Sequence, residues 1–443
     1  MRKTFISLIF ILGIIVSLIT GKEPVPQKPR IIVSTDIGGT DCDDYQSVLH
    51  LLMYSDLFDI EGIISNPTVG KSTKGEILRM IDSYEEDYPY LKKYYPNIMT
   101  PSSLRKITKE GHIGIAPYNG YSEPNEGSKW IVKRAREKID ERPLWILAWG
   151  TLEDVAQALH DAPDIENNIK VYFIGGPNKK WGVNSYSFIV KNFPNLWMIE
   201  CNGSYFGFIT YKKWVSEETG GDYYNFGYYD NVIKGSGKMA EEFLNYCSGN
   251  IKMGDTPSLL YMMDGDPEDP IKESWGGSFI KIKYSSRRVI DINEHQKKRN
   301  KIEVPVCSVI EFNLKGPIIN ITDDIPSFNI TIAQQTWQGY YLGDGNYGVK
   351  YCPKQPDNLT YITESDIPEL NNLTGNFSVG DIFPGTHHKD DYTIGNNWYT
   401  DKPDRDLYED QCQGAKTIRK WRKDSLIDWE ERWKCLKEEL LNN

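Results

Sequence analysis

A chain of 443 residues with 39% hydrophobic residues is long enough for one large domain with a sizeable core plus a second, smaller part, which excludes a disordered chain. Its net charge of −11 argues against nucleic-acid backbones as partners, because that binding depends on clustered Lys and Arg releasing counterions. Seven Cys leave at least one unpaired, and an exported chain would let the others form disulfides.

The chain opens with Met1-Arg2-Lys3, a mostly apolar run from Phe5 to Ile19 and the small residues Thr20 and Gly21. This is the charge, length and flank of a secretory signal peptide over residues 1–21. The run is short for a bilayer span and no later segment is apolar enough for one, so the expectation is a secreted protein with no membrane partner after cleavage.

From Arg30 to about Lys283 short β-like runs alternate with helical patterns. Strands are predicted at Ile31–Ser34, Ile60–Ser65, Leu144–Ala148, Val171–Ile174 and Leu196–Ile199. Helices are predicted from about Tyr45, from about Thr73, over Leu152–His160, near Met239–Cys247 and over Pro257–Met263. Such alternation is the signature of an α/β domain, a mostly parallel sheet flanked by helices. Between the first strand and the first helix, Asp36, Asp41, Asp43 and Asp44 crowd a loop containing Gly38 and Gly39. Their repulsion calls for a cation or cationic partners, and hard oxygen ligands suit Ca²⁺ or Mg²⁺. Open α/β sheets place ligand sites just beyond the carboxyl ends of their strands, where this loop should sit. Asp43 and Asp44 fall in the first turn of the helix, where negative charge is favoured.

Three later segments belong with this loop. Trp149-Gly150-Thr151-Leu152-Glu153-Asp154 follows a strand and opens a helix; Gly175-Gly176-Pro177-Asn178 ends the next strand; Gly254-Asp255-Thr256-Pro257 places a carboxylate before a helix with Pro in its first turn.

After about Ile290 the character changes to short β-rich segments, such as Val304–Phe312 and Phe328–Ala333, with turns at Gly343–Asn346 and Asp357-Asn358. Five of six Asn-x-Ser/Thr sequons, at Asn320, Asn329, Asn358, Asn372 and Asn376, lie in this region, and the sixth is at Asn202; in a eukaryotic host they would accept glycans. A final helical run, Ala415–Leu441, carries Trp421, Leu426, Trp429 and Trp433 on roughly one face, which must bury against something. The expected organisation is an α/β domain over residues 28–285, a β-rich insertion over 286–414 and a helix over 415–441 packing back on the α/β domain. Cys307, Cys352, Cys412 and Cys435 are the better disulfide candidates, Cys42 being embedded in the acidic loop, where it is expected to pack. Asp41 reads as a helix cap or a neighbour of the ligands, and His112, His160, His387 and His388 lack ligand-like spacing.

Taken in order, these segments resemble the nucleoside hydrolase family, and most closely its secreted branch of cellulose-binding proteins with a nucleoside hydrolase-like domain. Members of that family open with a strand running into an Asp-x-Gly-x-Asp-Asp loop that holds Ca²⁺. Asp36-Ile37-Gly38 matches the first half and Asp43-Asp44 the second, with three extra residues between them. A family segment whose backbone carbonyl is a metal ligand is similar to Gly150–Asp154, which puts that carbonyl on Glu153. Asp255 looks like the family's late metal ligand, and Asn66 resembles its ribose-contacting Asn. The run Glu273-Ser274-Trp275-Gly276-Gly277-Ser278-Phe279 is similar to the secreted branch. Two departures stand out: Gly254 sits where the family commonly has His, and Lys179–Asn184 offers no counterpart to the Glu and Asn that hold the ribose 5′ end.

The resemblance implies a metal-dependent hydrolase of an N- or O-glycosidic bond. Ca²⁺ would be held by Asp36, Asp44, Asp255 and the Glu153 carbonyl, with Asp36 as general base and Asp43 and Asn66 on the sugar. Leaving-group activation has no assigned residue. The substrate would be a nucleoside or a carbohydrate, plant cell-wall glycan included. The alternative, a carbohydrate-binding protein that kept the fold without turnover, draws on the 28 Tyr and 12 Trp, whose rings can stack on sugars.

Overall fold

A computed structural model describes residues 27–442 except 40, 69–70, 138, 210–226, 299–300 and 323–324. The signal-peptide reading of residues 1–21 lies outside the described residues. The chain builds β1 (Arg30–Thr35), β2 (Asp59–Ser65), β3 (Thr108–Glu110), β4 (Leu144–Ala148), β5 (Ile169–Ile174), β6 (Trp197–Cys201) and β7 (Phe279–Lys281) into one sheet. A short ribbon strand, β8 (Tyr284–Ser285), leads to the strands of a second sheet: β9 (Arg287–Asp291), β10 (Glu303–Val304), β11 (Val309–Lys315), β12 (Pro326–Ile332), β13 (Gln335–Tyr341), β14 (Asn346–Tyr351), β15 (Asp357–Glu364) and β16 (Thr374–Val379). Then β17 (Tyr392–Thr393) pairs with β8, and β18 (Trp398–Asp401) returns to the first sheet.

The first sheet runs in the order β3-β2-β1-β4-β5-β6-β18-β7 and is parallel except for the β18–β7 pair. Its central strands are apolar on both faces, as a sheet covered by helices on both sides requires. In β1, Ile32 enters the core on one face while Ile31 and Val33 enter the core on the other. Helices Glu126–Arg136, Glu153–Asp161 and Val183–Asn192 cover the first face; Asp43–Met53, Lys74–Tyr94, Lys238–Asn245 and Thr256–Asp264 cover the second.

The second sheet, β10-β16-β15-β12-β13-β14-β11-β9, is largely antiparallel and is the β-rich region anticipated after residue 290. Its inward residues Ile310, Phe312, Trp337 and Tyr351 join the core of the first face without a break. The predicted strand Val304–Phe312 is interrupted by a turn in which Cys307 takes a positive φ of 57°, so it becomes β10 and β11. Because β18 lies in the first sheet between β6 and β7, the segment outside the α/β domain ends before Trp398, earlier than the expected 414.

The C-terminal run breaks at Trp421 into Lys416–Arg419 and Arg422–Leu441. Leu426, Trp429, Trp433 and Leu436 are buried in the second-face core, while Trp421 stays half-buried at the break. Trp429 Nε1 lies 3.3 Å from Met53 Sδ, and the Arg432 guanidinium donates to the Met53 carbonyl and pairs with Asp56 at 2.7 Å. This helix therefore closes over the end of helix Asp43–Met53, whose other end carries the acidic loop. Among the described residues no helix is long and apolar enough to cross a membrane.

Candidate active site

The loops after β1, β4, β5 and β6 leave the same edge of the sheet, and a cavity of 270 Å³ opens there. Asp36 follows β1 directly. Gly38, at φ +87°, brings the loop close to Thr73, since a Cβ there would sit 2.7 Å from Thr73 Cγ2. Gly150, after β4, packs on Asp36, where a Cβ would stand 2.9 Å from the Asp36 Cβ. These two contacts hold the acidic loop between its neighbours.

Asp43, Asp44 and Asp255 converge, one carboxylate oxygen of each lying within 4.8 Å of the others', and Asp36 lines the same cavity. Asp43 and Asp44 start helix Asp43–Met53, and Asp255 is the N-cap of helix Thr256–Asp264. Two helix N-termini therefore face the cluster, and their exposed N–H groups favour negative charge. Thr35 Oγ1 donates to Asp44 Oδ1, and Asp255 Oδ2 is buried with no hydrogen-bond partner. Trp149 Nε1 donates to Ser258 Oγ at 2.7 Å, and that hydroxyl donates to the Asp255 carbonyl at 2.7 Å, tying the end of β4 to the helix that presents Asp255.

Burial raises all four carboxyl groups. Asp36 is pushed up to about 6, burial outweighing a hydrogen bond with Asp44 and the pull of Lys252. Asp43, Asp44 and Asp255 rise well above the usual carboxylate range, first by burial and then by mutual repulsion. A divalent cation removes this penalty, and the donor set is all hard oxygen, so the residues present fit Ca²⁺ or Mg²⁺. Lys252, ion-paired with Asp41, borders the cluster; burial pulls it down to about 8 against the attraction of Asp255 and Asp36.

Three expectations change. Asn66 is fully buried and does not line the cavity; its Nδ2 donates to the Thr151 carbonyl at 3.0 Å, while its Oδ1 is buried with no hydrogen-bond partner. Glu153 is also absent from the lining. It is the buried first residue of helix Glu153–Asp161, and the bond that opens that helix is accepted by the Leu152 carbonyl from the Ala156 N–H at 2.8 Å. Cys42 does not merely pack but is disulfide-bonded to Cys247, with Cα atoms 6.0 Å apart, whereas Cys307, Cys352, Cys412 and Cys435 are in no disulfide. Asp41 caps no helix; its Oδ1 accepts from the next backbone N–H at 2.6 Å.

Residues not singled out in the sequence complete the wall: Trp181, Tyr205, Phe206, Lys252 and Lys354. Lys354 follows β14 and so belongs to the β-rich part, a placement with no local signal. Asn178, in the flagged Gly175–Asn178 segment, donates to the Trp149 carbonyl at 2.6 Å and the Ile174 carbonyl at 3.0 Å. At Gly254 a Cβ would lie 2.5 Å from Asp43 Oδ2, so Asp43 occupies the space a larger residue would need. Lys179 is fully buried in an ion pair with Glu200 and does not line this cavity.

No curated protein matches the chain significantly. Among solved structures, a nucleoside hydrolase-related hypothetical protein from Saccharophagus degradans associated with carbohydrate metabolism aligns at 17% identity and a TM-score of 0.47, covering 80% of this chain and 100% of that one. The inosine-uridine preferring nucleoside hydrolase of Bacillus anthracis aligns at 13% identity and a TM-score of 0.36, over 59% and 87% of the two chains. Residues 303–366 match a domain of unknown function, DUF5060. Residues 30–279, the α/β domain with its acidic cavity, match the family described as cellulose-binding Sde182, nucleoside hydrolase-like domain, and the chain belongs to that family.

Proposed function

We propose that the protein is a secreted hydrolase of a glycosidic bond that works with Ca²⁺ held by the carboxylates of Asp36, Asp44 and Asp255 together with the Glu153 carbonyl. The observation that carries this reading is the convergence of four raised carboxyl groups in one cavity, with Asp255 Oδ2 buried and unpartnered. Bound there, the cation would lower the pKa of an attacking water and orient the sugar hydroxyls. Asp36 accepts the proton of the attacking water. Asp43 accepts hydrogen bonds from sugar hydroxyls as the anomeric carbon takes on oxocarbenium character. Trp181, Tyr205 and Phe206 supply flat apolar surface for a sugar or base. The substrate is a nucleoside or a carbohydrate, with plant cell-wall glycan among the candidates. The family's cellulose-binding description and the signal-like N-terminus support export. Exposed sequons at Asn320, Asn358, Asn372 and Asn376 would accept glycans in a eukaryotic host, while Asn202 is buried.

One observation favours a second reading, a carbohydrate-binding protein without turnover. With Gly254 before Asp255, no imidazole among the described residues lines the cavity to protonate a leaving group, and Asp43 fills that space. The test is a screen of the mature protein with Ca²⁺ against inosine, uridine and plant-type oligosaccharides. Turnover that disappears on chelation supports the hydrolase; oligosaccharide binding without turnover supports the second reading.

A further inference from the structure

Away from the acidic cavity, a groove runs between the α/β domain and the second sheet. It consists of two cavities, of 440 and 410 Å³, that meet at Tyr118 and Glu311 and share no lining residue with the acidic site. The loop carrying Tyr118 and Tyr121 is pressed onto helix Val183–Asn192 at Gly120, where φ is +86° and a Cβ would lie 2.4 Å from the Asn184 carbonyl oxygen. Tyr118 thereby reaches across to the second sheet and lies over Gly348, the one residue type that leaves room for its ring, with Lys350 Nζ 3.8 Å from the ring centroid.

Around Lys350 the unmet hydrogen-bonding groups are donors. The two carboxylate oxygens of Glu311 are taken, one by the Tyr392 hydroxyl at 2.9 Å and the other by Arg287. Lys350, although buried, spends one of its three N–H donors, on the Tyr118 carbonyl at 2.7 Å. Arg287 Nε is buried with no partner, and the exposed Lys191 lines the same cavity. In the 440 Å³ cavity three cations, Lys350, Arg287 and Lys191, therefore face one already-paired carboxylate, in a protein whose net charge is −11; the adjoining cavity adds Lys315 and Asp291. Lys350 is pulled down to about 8, first by burial and then by repulsion from Lys191 and Arg287, with Glu311 opposing. Leaving buried donors unmet is costly, and an anionic acceptor answers all of them at once.

We propose that this groove binds an acidic oligosaccharide, a chain of uronate-type sugars whose carboxylates meet Lys350, Arg287 and Lys191 while Tyr118 and Tyr121 stack on ring faces. Two joined cavities suit a chain of sugars better than a single ring, and phenol rings next to charged donors suit a ligand that is apolar on its faces and polar on its edges. The groove is distinct from the proposed catalytic site, so this inference stands whether or not the acidic cavity turns over a substrate.

Calorimetric titration of the full mature protein with hexagalacturonate, against cellohexaose of equal length, tests it. The acidic chain should bind at least tenfold more tightly than the neutral one, and more weakly as salt rises. Lys350→Met, which keeps the aliphatic stem, and Lys191→Ala, at an exposed position that leaves the fold alone, should each reduce that affinity about fivefold or more. Asp36→Asn should leave it unchanged, which separates this groove from the acidic cavity. Equal binding of the neutral and acidic chains, no binding of either, or full affinity in Lys191→Ala and Lys350→Met would overturn the proposal.

Discussion

Ca²⁺ should raise the unfolding temperature of the metal-free protein, and the gain should grow as pH rises from 5 to 7.5. In the folded state burial raises the Asp36 carboxyl from 3.8 to about 6. Between these values the folded protein holds more protons than the unfolded chain, so stability is full at low pH and is lost as pH climbs through the folded value. A shift of about two units at 1.36 kcal/mol per unit gives a ceiling of about 3 kcal/mol for this group, reduced by solvent because Asp36 is partly open to the cavity. Asp43, Asp44 and Asp255 are raised as well and act with the same sign. A bound cation cancels the penalty. At a Ca²⁺ concentration 100-fold above Kd the stabilisation is about 2.7 kcal/mol, on the order of 5 °C for a domain of this size. Asp87, at about 6, and Asp154 and Asp401, at about 7, tilt the pH dependence in the same direction, but they do not line the cavity and cancel in the difference between Ca²⁺ and chelator. Differential scanning fluorimetry in Ca²⁺ and in EGTA across this pH range measures that difference. A difference that is zero at millimolar Ca²⁺, or flat from pH 5 to 7.5, would refute the argument.

Asp36→Asn should abolish glycosidic hydrolysis while far-UV circular dichroism stays unchanged, because the residue lies on a cavity wall outside the apolar core; undiminished turnover would move the general base elsewhere. Reducing the Cys42–Cys247 bond, or Cys42→Ser with Cys247→Ser, should cost about 2–5 kcal/mol in denaturant unfolding and weaken Ca²⁺ binding, since the bond pins the acidic loop to the segment before Asp255. Trp433→Ala, at a fully buried position, should cost about 3–5 kcal/mol, and truncation near residue 410 should destabilise the whole chain; a truncated protein with unchanged melting would make the last helix dispensable.

The alternation of apolar runs with helical patterns made the parallel sheet legible, because both faces of β1, β4 and β5 are buried and their residues must be apolar irrespective of what they pack on. The acidic loop was legible for a similar reason: four carboxylates within nine residues carry an electrostatic penalty that needs no fold to be noticed. Long-range pairing was not legible. Cys42 and Cys247 are 205 residues apart and neither neighbourhood marks the other as its partner. Nothing local in Trp398–Asp401 distinguishes a strand of the first sheet from one of the second; the gap between β6 and β7 decides it. Asn66 follows its strand where a sugar contact would stand, and only the fold shows that its Nδ2 is spent on the Thr151 carbonyl. Each residue's own chemistry sets a local demand that can be seen along the chain: burial for the apolar runs and a counter-charge for the clustered aspartates. Which distant residue meets that demand, whether Asp255 at the cluster, Lys354 on its wall or Tyr118 over Gly348, was decided by the tertiary structure, because contact between segments hundreds of residues apart is set by packing of the whole chain and leaves no periodicity along it.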